Sequence, residues 1–245
     1  MRLKILACKI LFRELSALAA HCENIIDVTY LKQDFHNTPE LLQAQLQAEI
    51  DKLDNAQDPY TGSFDFNAIL LGYGLCSNAV VGLVSQKYPI VIPKAHDCIS
   101  LFLGSREKYK CYFDTHQGGI YWYSRSWIES TPMPSKERYD HTYKHYLEKY
   151  GEDNAQYLME MEQDWLVKYN TCAFVDWQSF DTQHAKDYTK ACADYLGWQY
   201  EELQGSDALL KNLLDGKWSS HDFLVISPQK TIAPSYDESV VKIAE

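Results

Sequence analysis

Three cysteines stand where a metal centre could form. Cys8, Cys76 and Cys98 each follow, directly or after a short loop, an apolar run that is typical of a buried strand. Thiolates bind both zinc and iron–sulfur clusters, and three of them leave one coordination position open, whereas a closed structural zinc site normally has four ligands. We therefore expect these cysteines to bind Zn²⁺ or a [4Fe–4S] cluster together. The alternative is that they are small residues tolerated where strands meet helices.

Two polar residues precede Cys98 directly and add proton-transfer chemistry. His96 is a candidate fourth ligand or general acid and base, and the Asp97 carboxylate is a candidate to orient its ring. We expect both to be catalytic. A metal-independent alternative is a thiol enzyme with Cys98 as nucleophile and His96 as base, although side chains two residues apart meet only in a suitable loop.

Three further residues are candidates for substrate binding. Arg106 follows the His-Asp-Cys segment and could bind an anionic group, although a surface ion pair explains it equally well. Asp176 ends an apolar run in the C-terminal part of the chain, where an acid, a base or a substrate ligand could stand. Tyr73 lies in the loop that leads to Cys76.

That loop also contains two glycines, Gly72 and Gly74. Backbone N–H groups of such a loop can bind an anion, but the third glycine of the dinucleotide fingerprint and the lysine of a P-loop are both missing. We interpret the loop as a tight turn that directs Cys76 into a crevice. Ser77 and Asn78 are predicted to cap a following helix.

The elements that must position these residues alternate between strand and helix. Apolar runs predict strands and helical periodicity predicts helices, with strands at 3–7, 25–31, 66–72 and 89–93 and helices at 10–22 and 38–53. A turn-rich stretch at 54–63 and a further apolar run at 79–84 lie between them. The pattern predicts an α/β fold with a mostly parallel sheet and helices on both faces. Ligands of such sheets bind beyond the carboxyl ends of the strands, where the three cysteines lie.

The rest of the chain is predicted to hold a helical and aromatic middle segment and a second βα half. Residues 110–134 are aromatic and β-prone, which predicts an insertion or an edge hairpin over the sheet, and helical spacing predicts two helices over 136–169. We expect one compact unit made of an N-terminal βα half at 1–109, a middle segment at 110–170, a C-terminal βα half at 171–230 and a tail at 231–245.

Composition and charge exclude several classes of protein. No apolar run approaches the roughly 20 residues of a bilayer span, so we expect no membrane partner. The chain has 23 Lys and Arg against 34 Asp and Glu, a net charge of −11, and no cationic tract, which disfavours nucleic-acid binding. The N-terminal segment is too charged for a secretory signal, which predicts a cytoplasmic protein. We expect its crevice to take a small-molecule substrate.

The remaining cysteines serve as an internal comparison. Seven cysteines are an odd number and are widely spaced, which does not fit a disulfide framework. The four that do not follow strands are interpreted as packing residues: Cys22, Cys111, Cys172 and Cys192.

Several segments around the candidate site carry a family likeness. They are residues 70–76, 92–98 and 103–109, and the likeness continues at 127–129, 149–155 and 197–198. Together they resemble the DUF1638 family of bacterial and archaeal proteins, with the Gly-Leu-Cys and His-Asp-Cys segments as the most specific parts. Such proteins are common in anaerobes and methanogens beside corrinoid-dependent methyl transfer systems. The resemblance therefore implies one-carbon (methyl) transfer with a corrinoid protein or a thiol.

Two classes of function follow from these residues. A metal-dependent methyltransferase or iron–sulfur enzyme would use zinc to activate a thiol for alkylation, or a cluster as Lewis acid or electron donor. A metal-free binding module, a partner of a corrinoid methyltransferase system, would use the same crevice and the aromatic middle segment. The second class predicts no metal after anaerobic purification and unchanged partner binding on Cys76→Ala.

Overall fold

The computed structural model describes residues 1–33, 38–56 and 65–244, and the chain forms two compact units. Unit 1 comprises residues 1–108 and 206–245, and unit 2 comprises residues 109–205. The middle segment expected at 110–170 therefore shares a unit with the start of the C-terminal half, while the end of the chain returns to unit 1. The turn-rich stretch expected at 54–63 lies outside the described residues from residue 57 onward.

Strands and helices alternate along most of the described chain. The strands are β1 (Arg2–Cys8), β2 (Ile25–Leu31), β3 (Ala68–Gly72), β4 (Ile90–Pro93), β5 (Ile120–Tyr123), β6 (Thr171–Asp176), β7 (Gln199–Gln204), β8 (Phe223–Ile226), β9 (Ile232–Pro234) and β10 (Val241–Ile243). The helices are α1 (Phe12–His21), α2 (Pro39–Asp54), α3 (Cys98–Leu103), α4 (Arg106–Thr115), α5 (Arg125–Ser130), α6 (Lys136–Tyr150), α7 (Glu152–Gln163), α8 (Gln183–Leu196) and α9 (Ala208–Asp215), with 3-10 turns at Lys9–Leu11 and Asp164–Lys168. The predicted α/β class is confirmed.

Unit 1 is built on a five-stranded sheet in the order β2-β1-β3-β4-β8. The first four strands are parallel, and β8 pairs with β4 antiparallel. Every residue of β3 and β4 is buried, as expected for parallel strands covered on both faces. The helix α2 begins with Pro39 at its first turn and buries Leu42, Leu46 and Ile50 at intervals of one helical turn.

The order of the strands reverses at β1. The chain passes from β1 to β2 on one side and later places β3 on the other side of β1. In open α/β sheets such a reversal opens a crevice beyond the carboxyl ends of the two central strands, and ligands bind there. In this protein those ends are Cys8 on β1 and Gly72 on β3.

Unit 2 contains a second parallel sheet, in the order β5-β6-β7. Of the expected insertion or edge hairpin at 110–134, the hairpin is wrong, because this segment includes most of α4, the strand β5 and the helix α5. The segment belongs to unit 2, which lies in the sequence between the two parts of unit 1. The aromatic residues that suggested strand structure recur with helical spacing in α4, where the rings of Tyr109 and Tyr112 pack against Trp122 of β5. The two helices expected over 136–169 are confirmed as α6 and α7.

Two further expectations in unit 1 are corrected. The predicted tail contains β10, which pairs antiparallel with β9. The apolar run at 79–84 forms turns rather than a regular element, although Ala79, Val80 and Leu83 are buried. Across the described ranges, no helix combines the length and the apolarity that crossing a bilayer requires.

Candidate metal centre

The three candidate cysteines follow three neighbouring strands of the unit 1 sheet. Cys8 is the last residue of β1, Cys76 follows β3 after a short loop, and Cys98 is the first residue of α3 after β4. The strands β1, β3 and β4 are adjacent in the sheet and parallel. All three side chains are buried, with 2%, 4% and 5% of their surface exposed. The expected placement at one edge of one sheet is therefore found.

The loops that carry Cys76 and Cys98 are joined by backbone hydrogen bonds. The N–H of Leu75 donates to the carbonyl of Ala95 at 2.8 Å, and the N–H of Cys76 donates to the carbonyl of His96 at 2.9 Å. Gly74 permits this approach, because a Cβ there would lie 2.6 Å from the Ala95 carbonyl oxygen. The glycine serves contact between two loops, and its φ is not left-handed.

A second close approach lies between β1 and β3. Gly72 pairs in register with Ala7, and a Cβ on Gly72 would lie 2.6 Å from the Cβ of Ala7. The missing side chain lets the two strands meet closely at their carboxyl ends. Cys8 follows Ala7, and Tyr73 follows Gly72. These two residues are therefore neighbours at the crevice.

The backbone at Cys76 is left-handed for three successive residues. Cys76, Ser77 and Asn78 have φ values of 47°, 55° and 69°, and the N–H of Ala79 closes the turn on the carbonyl of Cys76 at 3.1 Å. Each non-glycine residue in this conformation costs roughly 1–2 kcal/mol, and runs of them are rare. The prediction that Ser77 and Asn78 cap a helix is wrong, because the residues directly after them form turns.

Burial keeps the three thiols protonated. Burial raises the pKa of Cys8 to about 11, against the opposing effect of a hydrogen bond from the backbone of Ile10. Burial is also the main cause of the raised pKa values of Cys76 and Cys98. Charges on Asp97 and Cys8 raise both of these values further.

All three sulfurs also accept backbone hydrogen bonds, which lower their pKa values, and the bond to Cys98 comes from its own backbone. The backbone of Ile10 supplies one to Cys8, and the backbone of Gly74 supplies one to Cys76. Hydrogen bonds from N–H groups to sulfur stabilise thiolate ligands and tune metal centres. The buried cysteines of unit 2 differ, because hydroxyl groups are the partners there: Tyr123 for Cys172, and Tyr188 with Tyr123 for Cys192.

Tyr73 directly follows β3, in the loop that leads to Cys76. Its side chain is 1% exposed, and its hydroxyl has no hydrogen-bond partner within the described residues. Burial raises its pKa, and charges on Cys8, Cys76 and Cys98 raise it further. The hydroxyl of Ser100 in α3 likewise has no partner in the described part of the chain, and no sequence pattern marks that residue.

The side chains do not stand in the arrangement of a formed metal site. Within residues 1–33, 38–56 and 65–244, no group of three or more His, Cys, Asp or Glu side chains is placed to hold a metal ion. The structure thus brings the three thiols to one buried region without bringing their sulfur atoms to a common point.

The two candidate catalytic residues have different surroundings. The side chain of His96 is exposed, and the backbone carbonyl of His96 accepts the hydrogen bond from the N–H of Cys76. The carboxylate of Asp97 caps α3 by accepting a hydrogen bond from the N–H of Ile99 at 3.0 Å, and its charge raises the pKa of Cys98. Their catalytic roles stay predictions.

The candidate substrate-binding residues Arg106 and Asp176 are already engaged. Arg106 pairs with Glu107 at 3.2 Å and donates to the carbonyl of Glu238 at 2.6 Å. Asp176 belongs to unit 2, where it pairs with Lys186 at 2.6 Å and accepts a hydrogen bond from Thr182 at 2.7 Å. These contacts give both residues a structural role. For Arg106 this is the surface ion pair named above as the alternative to substrate binding.

The other cysteines separate into buried and accessible ones. Cys172 and Cys192 lie in the core of unit 2, which confirms their interpretation as packing residues. Cys22 is partly buried. Cys111 is exposed on α4, so its interpretation as a packing residue is wrong.

Comparison with known proteins identifies the family. A search of curated proteins and a search of solved structures each returned no match to the chain. The family model described as "Protein of unknown function (DUF1638)" matches residues 30–214, a range that includes Cys76 and Cys98 and begins after Cys8. Because this match spans most of the 245 residues, the chain belongs to the DUF1638 family.

Proposed function

We propose that this protein binds a metal centre through Cys8, Cys76 and Cys98 and uses its open coordination position in one-carbon (methyl) transfer with a corrinoid protein or a thiol. The metal centre is a [4Fe–4S] cluster with one iron free of protein ligand, or Zn²⁺. The observation that carries the proposal is the burial of three thiols that follow three adjacent parallel strands.

The position in the fold supports a ligand site independently of the cysteines. Cys8 and the loop to Cys76 flank the reversal in strand order between β1 and β3. Ligands of open α/β sheets bind at this kind of position. The strained turn at Cys76 adds a second argument, because costly backbone conformations cluster at functional sites.

The donor set fits a thiophilic metal. Three buried thiols in the same region are free, and backbone hydrogen bonds to Cys8 and Cys76 favour the charged form of each sulfur. A bound metal would displace the thiol protons that burial otherwise retains. It would supply a Lewis acid that lowers the pKa of a coordinated thiol, or in a cluster an electron donor.

Metal binding requires a local rearrangement of the sulfur atoms. Zinc needs its thiolates about 2.3 Å from one point, and the described side chains do not stand in such an arrangement. A cysteine side chain can redirect its sulfur by a change in χ1 alone. The hydrogen bonds between the loops of Cys76 and Cys98 keep the two backbones together during that change.

The methyl-transfer step has a simple balance. The sulfur of the accepting thiol forms a bond to the methyl carbon, the carbon–cobalt bond of the corrinoid breaks, and its electron pair stays on cobalt. The thiol proton leaves when the sulfur becomes a thiolate. His96, which precedes Cys98 by two residues and has an exposed side chain, is the residue that we propose accepts this proton.

Anaerobic purification with elemental analysis tests the proposal. The wild type should contain stoichiometric metal, and the variants Cys8→Ala, Cys76→Ala and Cys98→Ala should each lose most of it. Brown protein with iron indicates a cluster, and colourless protein with zinc indicates the mononuclear site.

Cys172→Ala is the matched control, because Cys172 is fully buried but belongs to unit 2. It should retain the wild-type metal content. Circular dichroism of all variants separates loss of a ligand from loss of the fold. Equal metal content in the wild type and the three unit 1 variants, or no metal in any of them, would contradict the proposal.

A further inference from the structure

Unit 2 contains a cleft that the proposed metal centre does not use. The cleft is formed by the start of α6, the end of α7, the 3-10 turn at Asp164–Lys168 and the end of α8, all within unit 2. Its empty volume is about 350 Å³, which includes its open side. Clefts that bind small molecules combine apolar walls with a few polar groups in defined positions. The polar groups of this cleft therefore indicate which ligand it fits.

Two groups of opposite charge line the cleft at a distance longer than a hydrogen bond. Nη2 of Arg138 lies 3.6 Å from Oε1 of Glu162, whereas charge-assisted N–H···O bonds are about 2.7–2.9 Å long. Nη1 of Arg138 lies 3.4 Å from the carbonyl oxygen of Pro132, which is also a long contact. Both charged side chains are about one-third exposed. An ion pair of this kind stabilises the protein little, so a ligand that separates the two charges costs little.

The Glu162 carboxylate is already held through one of its oxygens. Oε2 accepts a hydrogen bond from the Tyr146 hydroxyl at 2.8 Å, and Oε1 is the oxygen nearer to Arg138. A carboxylate oxygen accepts hydrogen bonds from an ammonium group, and the guanidinium fork matches a carboxylate. Together the two side chains match a molecule that carries a carboxylate and an ammonium group on neighbouring atoms, as an α-amino acid does.

The wall beside these charges is aromatic. The Trp165 ring centre lies 6.0 Å from the guanidinium carbon of Arg138, and Tyr195 of α8 lines the same cleft. Trp165 also packs against Tyr121 and Tyr169, with ring centres 5.6 Å apart in both pairs, and these contacts limit the movement of its ring. Aromatic rings gain energy from contact with one another beyond the area that they bury. The wall therefore favours a ligand with an aromatic side chain.

We propose that this cleft binds an α-amino acid with an aromatic side chain. Arg138 binds its carboxylate, Glu162 binds its ammonium group, and Trp165 contacts its ring. The site needs no metal, and its residues belong to unit 2 whereas the three candidate cysteine ligands belong to unit 1. The inference goes beyond the proposed function and does not depend on it.

Isothermal titration calorimetry of the full-length protein tests the inference with L-phenylalanine as the probe. Two comparison ligands each lack one charge: 3-phenylpropionate has no ammonium group, and phenethylamine has no carboxylate. The variants Arg138→Gln and Glu162→Gln each remove one charge from the protein, and glutamine at position 162 keeps an oxygen that can accept the Tyr146 hydroxyl. Arg125→Gln is the matched control, because Arg125 also belongs to unit 2 but pairs with Glu129 at 3.1 Å, away from the lining of the cleft.

We expect the wild type to bind L-phenylalanine, and to bind each comparison ligand about tenfold more weakly, the loss expected for one hydrogen-bonded charge. Arg138→Gln and Glu162→Gln should each bind L-phenylalanine about tenfold more weakly, and Arg125→Gln should bind it as the wild type does. Circular dichroism checks that each variant is folded.

Three results would overturn the inference. The first is a wild type that shows no saturable binding of L-phenylalanine. The second is a wild type that binds 3-phenylpropionate or phenethylamine as tightly as L-phenylalanine, because the cleft would then not recognise both charges. The third is unchanged affinity in a folded Arg138→Gln or Glu162→Gln variant. The first two comparisons use the wild type alone, so they decide the question even where a variant does not fold.

Discussion

The backbone N–H of Cys76 donates a hydrogen bond to the carbonyl oxygen of His96 at 2.9 Å. This bond joins the loop after β3 to the loop after β4, and it lies two residues before Cys98. The spacing of Cys76 and Cys98 is thus determined by backbone contacts. Side-chain substitutions elsewhere in the loops should affect the two cysteines less than a change that separates the loops.

Gly74→Ala should separate these loops. The added Cβ would meet the Ala95 carbonyl oxygen at 2.6 Å and the Asp97 nitrogen at 2.7 Å, and both are backbone atoms. We expect the free energy of unfolding, measured by urea denaturation, to fall by about 1–3 kcal/mol. Gly119→Ala is the control, because the three atoms nearest to its Cβ would belong to the Asn170 side chain, at 3.0 to 3.1 Å, and a side chain can shift where backbone cannot. Equal effects of the two substitutions would contradict this account of Gly74.

The left-handed turn at Ser77 should discriminate between residue types. The side chain of Ser77 is exposed and its φ is 55°, so substitutions there report on the backbone rather than on packing. We expect Ser77→Val to lower the free energy of unfolding by about 1–2 kcal/mol, because a β-branched residue is strained at positive φ. Ser77→Gly should be at least as stable as the wild type. Urea denaturation of both variants measures the difference, and a Val variant as stable as the Gly variant would show that the turn is not left-handed.

Alkylation should distinguish the exposed cysteine from the buried ones. Cys111 is exposed, whereas Cys8, Cys76 and Cys98 are almost fully buried and burial raises the pKa of Cys8 to about 11. Iodoacetamide reacts with accessible thiolates, so peptide mapping by mass spectrometry should find Cys111 labelled first. Urea-unfolded protein, in which every cysteine should react, is the control. Labelling of Cys98 as fast as Cys111 would instead favour the thiol enzyme with Cys98 as nucleophile.

His116 should contribute to stability in a pH-dependent way. Its ring lies 2.9 Å from the Tyr112 carbonyl and 3.1 Å from the Glu201 carboxylate, and these contacts raise its pKa above the usual 6.5. The pKa of Glu201 is lowered from 4.5, first by the Tyr112 hydroxyl and then by His116. The contribution of a raised histidine pKa is complete below about pH 6.5 and is lost as the pH rises through the folded value.

His116→Ala should therefore reduce the free energy of unfolding by about 0.5 kcal/mol near pH 6 and by less at pH 9, since the pair is partly exposed. As the pH falls below 4.5, the contribution of Glu201 is lost as well. Urea denaturation at several pH values measures both effects. His184→Ala is the control, since His184 is exposed. An effect of His116→Ala that is the same at pH 6 and pH 9 would contradict the ion pair.

The strands that carry the site could be predicted because their signal is local. Continuous apolar runs predict β1, β3 and β4, and the sequence shows directly that a cysteine follows each of these runs. The parallel arrangement followed from the alternation with helices. Neighbouring parallel strands then necessarily bring their carboxyl ends to one edge, so the shared location of Cys8, Cys76 and Cys98 needed no long-range information.

The features that sequence reasoning missed depend on contacts between distant residues or on backbone geometry. Aromatic residues favour strands, and only their spacing in α4 shows that Tyr109 and Tyr112 share a helical face. No residue type predicts three successive left-handed positions at Cys76. Likewise, Arg106 finds the Glu238 carbonyl only because the C-terminal segment returns to unit 1.

The strand β8 also has a consequence for biosynthesis. It pairs with β4, so the sheet of unit 1 gains its last strand only after residue 226 has been translated. All of residues 109–205 leave the ribosome before β8 does, and domains fold as units during synthesis. Until then the nascent chain has the β4 edge without its β8 partner, and an unpaired strand edge is a template for pairing with other chains.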